Sequence, residues 1–215
     1  MLKLGIIVPC YNEEEALPET NRRLIEVINN LVRLGKITTD SMIFYVDDGS
    51  SDGTWQLIES LSIVNSLHIS GIKLSRNYGH QNAIVAGLFS AAGDPLITID
   101  ADLQDDVNAI EAMIDKYLAG SEIVYGVRNN RESDSVFKRL TASIFYSVME
   151  ILGAEVVKSH ADFRLLSRNA INSLQEFREV SLFLRGIVPL IGLSSATVHY
   201  SRDRRLLGQS KYPLR

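Results

Sequence analysis

Apolar and polar positions follow two different periods along the first half of the chain. Short runs rich in β-branched residues, of which LKLGIIVP (2–9) is the first, are typical of buried strands. The longer segment 17–34 instead places Leu24, Ile28 and Leu31 three or four positions apart, which predicts a helix with one apolar face. Strand-like and helix-like segments alternate, so the pattern predicts an α/β fold.

The predicted elements alternate strictly as far as residue 127. The predicted strands are 2–9, 41–46, 67–75, 95–100, 122–127, 160–167 and 195–201. The predicted helices are 17–34, 55–61, 81–92, 107–120, 136–152, 168–177 and 181–192. Strict alternation in the first part favours a mostly parallel sheet with helices on both faces. No internal repeat or low-complexity linker divides the chain, so we expect one domain with two functional halves.

Composition narrows the class of protein without naming a function. The chain has 215 residues, 46% of them hydrophobic, and a formal net charge of −4, which gives no sign of bulk nucleic-acid binding. The single cysteine, Cys10, excludes an internal disulfide and fits a reducing compartment. No apolar run approaches the roughly 18 to 20 residues that span a bilayer, so we expect this chain as it stands to be soluble.

Three polar clusters follow predicted strands: PCYNEE (9–14), DDGSSDGT (47–54) and DADLQDD (100–106). Each alone is explained by helix-start charge or by turn chemistry. Ligands of open α/β sheets, however, bind outside the carboxyl ends of the strands. The convergence of all three clusters on one edge therefore favours a ligand site. The basic segment 200–215 is a further candidate for contact with phosphates.

The third cluster has a chemical explanation if a divalent cation binds there. Mg²⁺ and Mn²⁺ prefer oxygen ligands and use few carboxylates together with substrate phosphates. Asp100, Asp102 and Gln104 are spaced to offer such oxygens, and the ion would neutralise a departing diphosphate. No G-x-G-x-x-G follows the first strand, and no G-x-x-x-x-G-K-[ST] occurs, so dinucleotide oxidoreductases and P-loop NTPases lose their main support.

Six motifs together resemble a known family. In order they are IIVPCYNEEEAL, VDDGSSDGT, LSRNYGHQNAIVAGL, ITIDADLQDD, ADFRLLSR and RRLLGQSKYPL. Their order and spacing resemble the inverting family-two glycosyltransferases, and most of all the polyprenyl-phosphate branch of bactoprenol glucosyltransferases and dolichol-phosphate mannose synthases. The resemblance implies a glycosyltransferase A type fold over 1–215. A Rossmann-like nucleotide-sugar half (1–128) would be joined to an acceptor half (129–215) that ends in a basic phosphate-binding tail.

The resemblance also implies roles for individual residues. Those implied to bind the nucleotide sugar are Pro9, Tyr11, Glu13, Asp48, Asp100, Ala101, Asp102, Gln104, Arg128, Arg205 and Lys211. Those implied to contact the acceptor phosphate are Arg128, Arg139 and Arg205. The implied metal ligands, for Mg²⁺ or Mn²⁺, are Asp100, Asp102 and Gln104, and the implied catalytic residues are Asp102 and Asp162.

Two roles stay open at this point. Asp162 is either the group that orients or deprotonates the acceptor, or an ion-pair partner of Arg164. His80 is expected to be a hydrogen-bonding residue and not a metal ligand. The apolar segment SLFLRGIVPLIG (181–192) would form a membrane-facing patch, and its rim of Arg185, Arg202, Arg204 and Arg205 would suit an anionic bilayer surface.

The resemblance leads to a specific expectation of function. We expect metal-dependent, inverting transfer of a hexose, glucose by preference, from a donor of the UDP-glucose or GDP-mannose type. The acceptor would be a polyprenyl phosphate such as undecaprenyl phosphate, used for cell-envelope polysaccharide at the cytoplasmic face of the inner membrane. Because that branch continues into C-terminal transmembrane helices, we expect the chain to stop short of them.

Three alternatives remain: the same chemistry on a polysaccharide or protein-linked acceptor, a non-catalytic nucleotide-sugar-binding regulatory module, and a sugar nucleotidyltransferase. The last would usually bring a basic triphosphate loop near the N-terminus. Here that stretch, VPCYNEEEALPE, is acidic.

Overall fold

The computed structural model describes residues 1–129, 160–177 and 183–201. The strands are β1 (Gly5–Cys10), β2 (Met42–Asp47), β3 (Ile69–Lys73), β4 (Leu96–Thr98), β5 (Ile123–Arg128), β6 (His160–Leu166) and β7 (Ser195–Tyr200). The helices are α1 (Leu17–Arg33), α2 (Thr54–Val64), α3 (His80–Ser90), α4 (Ala109–Leu118), α5 (Arg168–Gln175) and α6 (Leu184–Leu190). The predicted helix 136–152 lies outside the described residues.

The strands of the described residues form one seven-stranded sheet in the order β3-β2-β1-β4-β6-β5-β7. β1 pairs in parallel with β2 and β4, and β5 pairs in parallel with β7. β6 runs antiparallel to both of its neighbours, β4 and β5. The predicted mostly parallel sheet is confirmed, with one inverted strand in its middle.

Side chains alternate across the sheet and build a core on each face. Along β1, Ile6 and Val8 face one apolar cluster, while Ile7 between them faces the other. The first cluster takes in buried residues of α1, α2 and α4, and the second takes in those of α3, α5 and α6. Helices therefore cover both faces, as predicted.

Helix α1 shows how the pattern dictates the packing. Leu24, Ile28 and Leu31 are fully buried on one stripe, as their spacing predicts. A proline in the first turn starts the helix, because its missing N–H would be unpaired there in any case. In the part of the chain that the structure describes, no helix is both long and apolar enough to cross a bilayer.

Candidate functional site

The site lies where the carboxyl ends of the parallel strands β1, β2 and β4 meet the amino end of the inverted strand β6. In the β4–β6 ladder Thr98 lies opposite Arg164. Because partners in an antiparallel pair step in opposite directions, extending this register by two residues sets Asp100 opposite Asp162. The two predicted carboxylates, distant in sequence, thus meet at one sheet edge.

The carboxylate of Asp162 is nearly buried (6% exposed) and accepts hydrogen bonds from three surrounding elements. Arg164 of β6 donates through Nη2 at 2.7 Å, and Gln81 of α3 donates through Nε2 at 3.0 Å. Arg185 of α6 donates through Nε at 3.2 Å and Nη2 at 3.0 Å, one bond to each oxygen. Such charge-assisted, bidentate bonding holds the carboxylate in one orientation.

His80 lies between the two carboxylates. Its Nε2 is 3.3 Å from Oδ1 of Asp100 and 3.6 Å from Oδ2 of Asp162. Burial alone would lower the pKa of His80, but its hydrogen bond to Asp162 and the charge of Asp100 outweigh burial and raise that pKa.

The two carboxylates have opposite electrostatic surroundings. Burial raises the pKa of Asp100 to about 6; the charges of Asp105, Asp102 and Asp162 add to the rise, and His80 opposes it. For Asp162 burial also acts to raise the pKa, but bonds from His80 and Arg185 and the charge of Arg164 bring it well below its ordinary value. Negative charge is therefore in excess around Asp100 and compensated around Asp162.

The donor set around Asp100 fits a hard cation. Asp102 stands beside it, and Oδ1 of Asp102 accepts the backbone N–H of Gln104 at 3.1 Å, which closes the turn. Across the described ranges, no group of three or more His, Cys, Asp or Glu side chains could hold a metal ion by itself. Mg²⁺ and Mn²⁺ need only one or two carboxylates when substrate phosphates complete the shell. Asp100 and Asp102, which are partly exposed and repel each other, meet that requirement.

The backbone of this turn is held by α1. Oγ1 of Thr20, a buried side chain, donates to the carbonyl oxygen of Ala101 at 2.7 Å and to that of Ala16 at 2.9 Å. The first bond joins groups 81 residues apart in sequence. Ala101, predicted to lie against the donor, is thereby fixed between Asp100 and Asp102.

Two loops follow β1 and β2 and are joined by hydrogen bonds. The backbone N–H of Asn12 donates to Oγ of Ser50 at 2.9 Å, and Oδ1 of Asn12 accepts the N–H of Ser51 at 2.8 Å. The N–H of Glu13 donates to Oγ1 of Thr54 at 2.8 Å. The loops therefore form one wall beside the strand ends.

Asp48 attaches a third loop to this wall. Its Oδ1 accepts the N–H of Tyr78 at 2.7 Å, and its Oδ2 accepts the N–H of Gly79 at 3.0 Å. Gly49 has φ +70°, and a Cβ there would lie 2.4 Å from the carbonyl carbon of Arg76. Only glycine permits both this backbone angle and this approach. The Asp48 carboxylate is thus committed to loop backbone.

The predicted nucleoside-binding residues come together on this wall. Pro9 and Asp48 are buried, Glu13 is 7% exposed, and Tyr11 is 36% exposed. A partly exposed tyrosine ring on this wall is suited to stacking on a base, so the placement is compatible with the predicted role.

Arg128, predicted to contact a phosphate, is engaged with the acidic motif in this structure. Its Nε and Nη2 lie 3.0 Å and 2.9 Å from Oδ1 of Asp105, which also accepts from the hydroxyl of Tyr200 at 2.6 Å. Asp105 is buried, so this carboxylate of the DADLQDD motif fixes β5 and β7 to the loop. Arg139, Arg205 and Lys211 lie outside the described residues.

Comparison with models of protein families identifies the family of this chain. Residues 5–174 match the family model described as "Glycosyl transferase family 2". The chain belongs to glycosyltransferase family 2.

Relatives within family 2 match the chain over nearly its whole length. An uncharacterized glycosyltransferase of Bacillus subtilis, YkoT, is 50% identical over 99% of this chain and 63% of its own length. A prophage bactoprenol glucosyl transferase homolog of Escherichia coli is 34% identical over 98% of this chain and 67% of its own. The chain thus spans about two thirds of the length of these relatives.

The fold is also that of solved structures of other proteins. The mannosyltransferase PcManGT of Pyrobaculum calidifontis, solved in complex with GDP-Man and Mn²⁺, superposes with a TM-score of 0.61 at 18% sequence identity. That alignment covers 92% of this chain and 55% of PcManGT. At this identity the likeness shows the fold, and the expected glycosyltransferase A type architecture is confirmed.

Sequence reasoning missed the environment of Asp162. Gln81 was placed only within a helix, and Arg185 was assigned to a membrane-facing patch, whereas both donate to this carboxylate. Neither residue has a spacing in the sequence that links it to Asp162. The predicted ion pair with Arg164 is present, because alternate residues of β6 share a face.

Proposed function

We propose that this protein is a metal-dependent, inverting glycosyltransferase that moves a hexose, preferably glucose, from a nucleotide-diphosphate sugar to a polyprenyl phosphate. The observation that carries the proposal is the pairing of β4 with β6. This pairing sets Asp100, which other carboxylates surround, beside Asp162, whose charge Arg164 and Arg185 compensate, at the ligand-binding edge of the sheet. One side of this edge suits a cation with a diphosphate, and the other suits an anionic acceptor.

Residues 1–128 would form the half that binds the donor. The wall built from the loops after β1 and β2 lies next to Asp100 and Asp102, so a nucleoside on the wall could direct its diphosphate toward them. The similarly folded mannosyltransferase PcManGT, solved in complex with GDP-Man and Mn²⁺, supports a nucleotide sugar and a divalent ion as ligands. Mg²⁺ or Mn²⁺, held by Asp100, Asp102 and Gln104, would supply charge neutralisation to the leaving diphosphate.

Residues 129–215 would hold the acceptor. A phosphate oxygen of the lipid attacks the anomeric carbon, and the bond from that carbon to the diphosphate oxygen breaks. The nucleoside diphosphate leaves, and the sugar is joined to the lipid phosphate with inverted configuration at its anomeric carbon. The attacking phosphate is already anionic near neutral pH, so no side chain has to remove a proton from it. Asp162, whose pKa lies well below its ordinary value, would position cations beside the acceptor and would not act as a base.

The lipid acceptor is supported by relatives. Proteins named bactoprenol glucosyl transferase, in Shigella phage SfV and as a homolog in Escherichia coli, are 33% and 34% identical to this chain over 98% of its length. A polyprenyl phosphate is anchored in a bilayer, so the reaction would take place at the cytoplasmic membrane face. The products would feed cell-envelope polysaccharide.

The donor site can be tested by calorimetric titration of UDP, GDP and UDP-glucose in the presence of Mn²⁺ and then of EDTA. We expect one nucleotide to bind only with the ion, and Asp102→Asn to weaken that binding about tenfold or more through loss of one ligand charge. Asp115→Asn, an exposed change on α4, serves as the matched control. Equal binding with EDTA would contradict the role of the ion.

The reaction can be tested by transfer of radiolabelled sugar to a short polyprenyl phosphate in detergent. Formation of a lipid-linked sugar, absent when the lipid alcohol replaces the phosphate, is the expected result. Tight nucleotide binding without transfer to the lipid phosphate would favour a binding module, and transfer only to a polysaccharide would move the protein to another acceptor class.

A further inference from the structure

The group of side chains around Asp162 carries more positive charge than that carboxylate can neutralise. Arg164 and Arg185 both donate hydrogen bonds to it, so two guanidinium charges face one carboxylate. The other carboxylate of the site, Asp100, belongs to the acidic turn and contacts His80, with 3.3 Å between its Oδ1 and Nε2 of His80. An excess of cationic donors at a ligand-binding edge indicates a place for an anion.

Arg164 shows that the excess is built into the fold. It is 1% exposed, and its Nε and Nη1 have no hydrogen-bond partner among the described residues. A buried guanidinium with unmet donors is costly, and proteins retain such groups where they serve a function.

Arg185 is the member of the group that a ligand can reach. Its side chain is 46% exposed, although Nε and Nη2 are both engaged by Asp162. Among the described residues, Nη1 makes no hydrogen bond, so one edge of the planar guanidinium faces outward. The bidentate contact fixes the plane, and the free edge is therefore preorganised for a planar or tetrahedral oxyanion.

The strand order separates Arg185 from the donor wall. The nucleotide loops follow β1 and β2, which lie on one side of β4, whereas β6 with Asp162 lies on the other side. The strand order therefore favours an anion other than the nucleotide diphosphate beside Arg185, because the diphosphate belongs with Asp100, Asp102 and the nucleotide loops. The remaining anion of the reaction is the phosphate of the acceptor.

We propose that Arg185, oriented by Asp162, binds the phosphate monoester of the acceptor through the free edge of its guanidinium. This inference rests on the proposed function for the identity of the acceptor. It moves Arg185 from the membrane-facing patch expected from sequence into the acceptor site, and it gives Asp162 the role of a positioning residue.

The test is calorimetric binding of citronellyl phosphate, citronellol and inorganic phosphate to the protein with UDP and Mn²⁺ present. In Arg185→Gln we expect affinity for citronellyl phosphate and for inorganic phosphate to fall about tenfold or more, the effect of one charge-assisted hydrogen bond. Affinity for UDP should stay within about twofold, which also shows that the variant is folded. Arg185→Lys keeps the positive charge but not the planar, bidentate guanidinium, so it should lose less affinity for citronellyl phosphate than Arg185→Gln.

The control is Arg33→Gln, at an exposed arginine in the last turn of α1, which should leave all affinities unchanged. Loss of UDP binding as large as that of citronellyl phosphate would overturn the proposal, because Arg185 would then serve the donor. The proposal would also be overturned if Arg185→Gln bound citronellyl phosphate as tightly as the unmodified protein, or lost as much affinity for citronellol as for citronellyl phosphate. Absence of citronellyl phosphate binding by the unmodified protein would overturn it as well. Phosphate binding that depends on Arg185 in a protein that transfers no sugar would refute the proposed function and leave this site standing.

Discussion

Replacing Asp162 by asparagine removes the charge that neutralises Arg164 while keeping the size of the side chain. Arg164 is 1% exposed and has Asp162 as its one hydrogen-bond acceptor among the described residues. Removing one partner of a buried ion pair costs about 3 to 5 kcal/mol. The asparagine oxygen can still accept one bond, and half-exposed Arg185 adds less than about 1 kcal/mol, so we expect about 3 kcal/mol of destabilisation.

The assay is urea denaturation, with thermal unfolding as a second measurement. For a chain of this size about 3 kcal/mol corresponds to a fall of roughly 6 to 12 °C in the unfolding midpoint. Adding Arg164→Met to Asp162→Asn should restore part of the loss, because no buried charge is then left unpaired. Asp106→Asn, a partly exposed position in the same acidic motif, should change stability by less than about 1 kcal/mol. A loss below about 1 kcal/mol in Asp162→Asn would refute the ion-pair argument.

Two further substitutions test how the loops are held. Gly49→Ala should lower the free energy of unfolding by about 3 kcal/mol in urea denaturation, because φ is +70° and the new Cβ would meet the backbone of Arg76. The control Gly35→Ala, with φ +68° and open space around the new Cβ, should lower it by about 1 kcal/mol. Equal losses in the two variants would show that the contact with Arg76 is unimportant. Thr20→Val should lower the free energy of unfolding by about 1 to 2 kcal/mol and weaken Mn²⁺-dependent nucleotide binding, because the carbonyl of Ala101 loses its hydrogen-bond donor. The control Ser60→Ala, at an exposed position, should lower it by less than about 0.5 kcal/mol. Unaltered nucleotide binding in Thr20→Val would show that the Thr20–Ala101 hydrogen bond does not support the site.

Local sequence was sufficient for the elements and for the acidic turn. The spacing of Leu24, Ile28 and Leu31 predicts the buried stripe of α1, because helical periodicity is a property of neighbouring residues. Asp100 and Asp102 could likewise be placed at a strand end from the apolar run before them. β4 proved shorter than predicted, Leu96–Thr98, because the chain turns into the acidic loop just beyond it.

Relations between distant segments could not be predicted in the same way. The apolar run at 160–167 reads as a strand in either direction, and nothing local says that β6 inserts between β4 and β5 and runs antiparallel to both. Arg128 illustrates the consequence. Its position after the predicted strand 122–127 resembled a phosphate site, and only the sheet order shows that Tyr200 and buried Asp105 lie against it.

The sequence by itself determined which segments are strands and helices, where the carboxylates of the acidic turn sit, and which family the motifs resemble. These features follow from short-range backbone periodicity and from side-chain chemistry within a few residues. The tertiary structure decided which charges compensate each other: the bond from Gln81 to Asp162 spans 81 residues, and Arg185 reaches the same carboxylate from α6. Such contacts exist only after the sheet order has brought strand ends and helices together, because electrostatic compensation depends on separation in space and not along the chain.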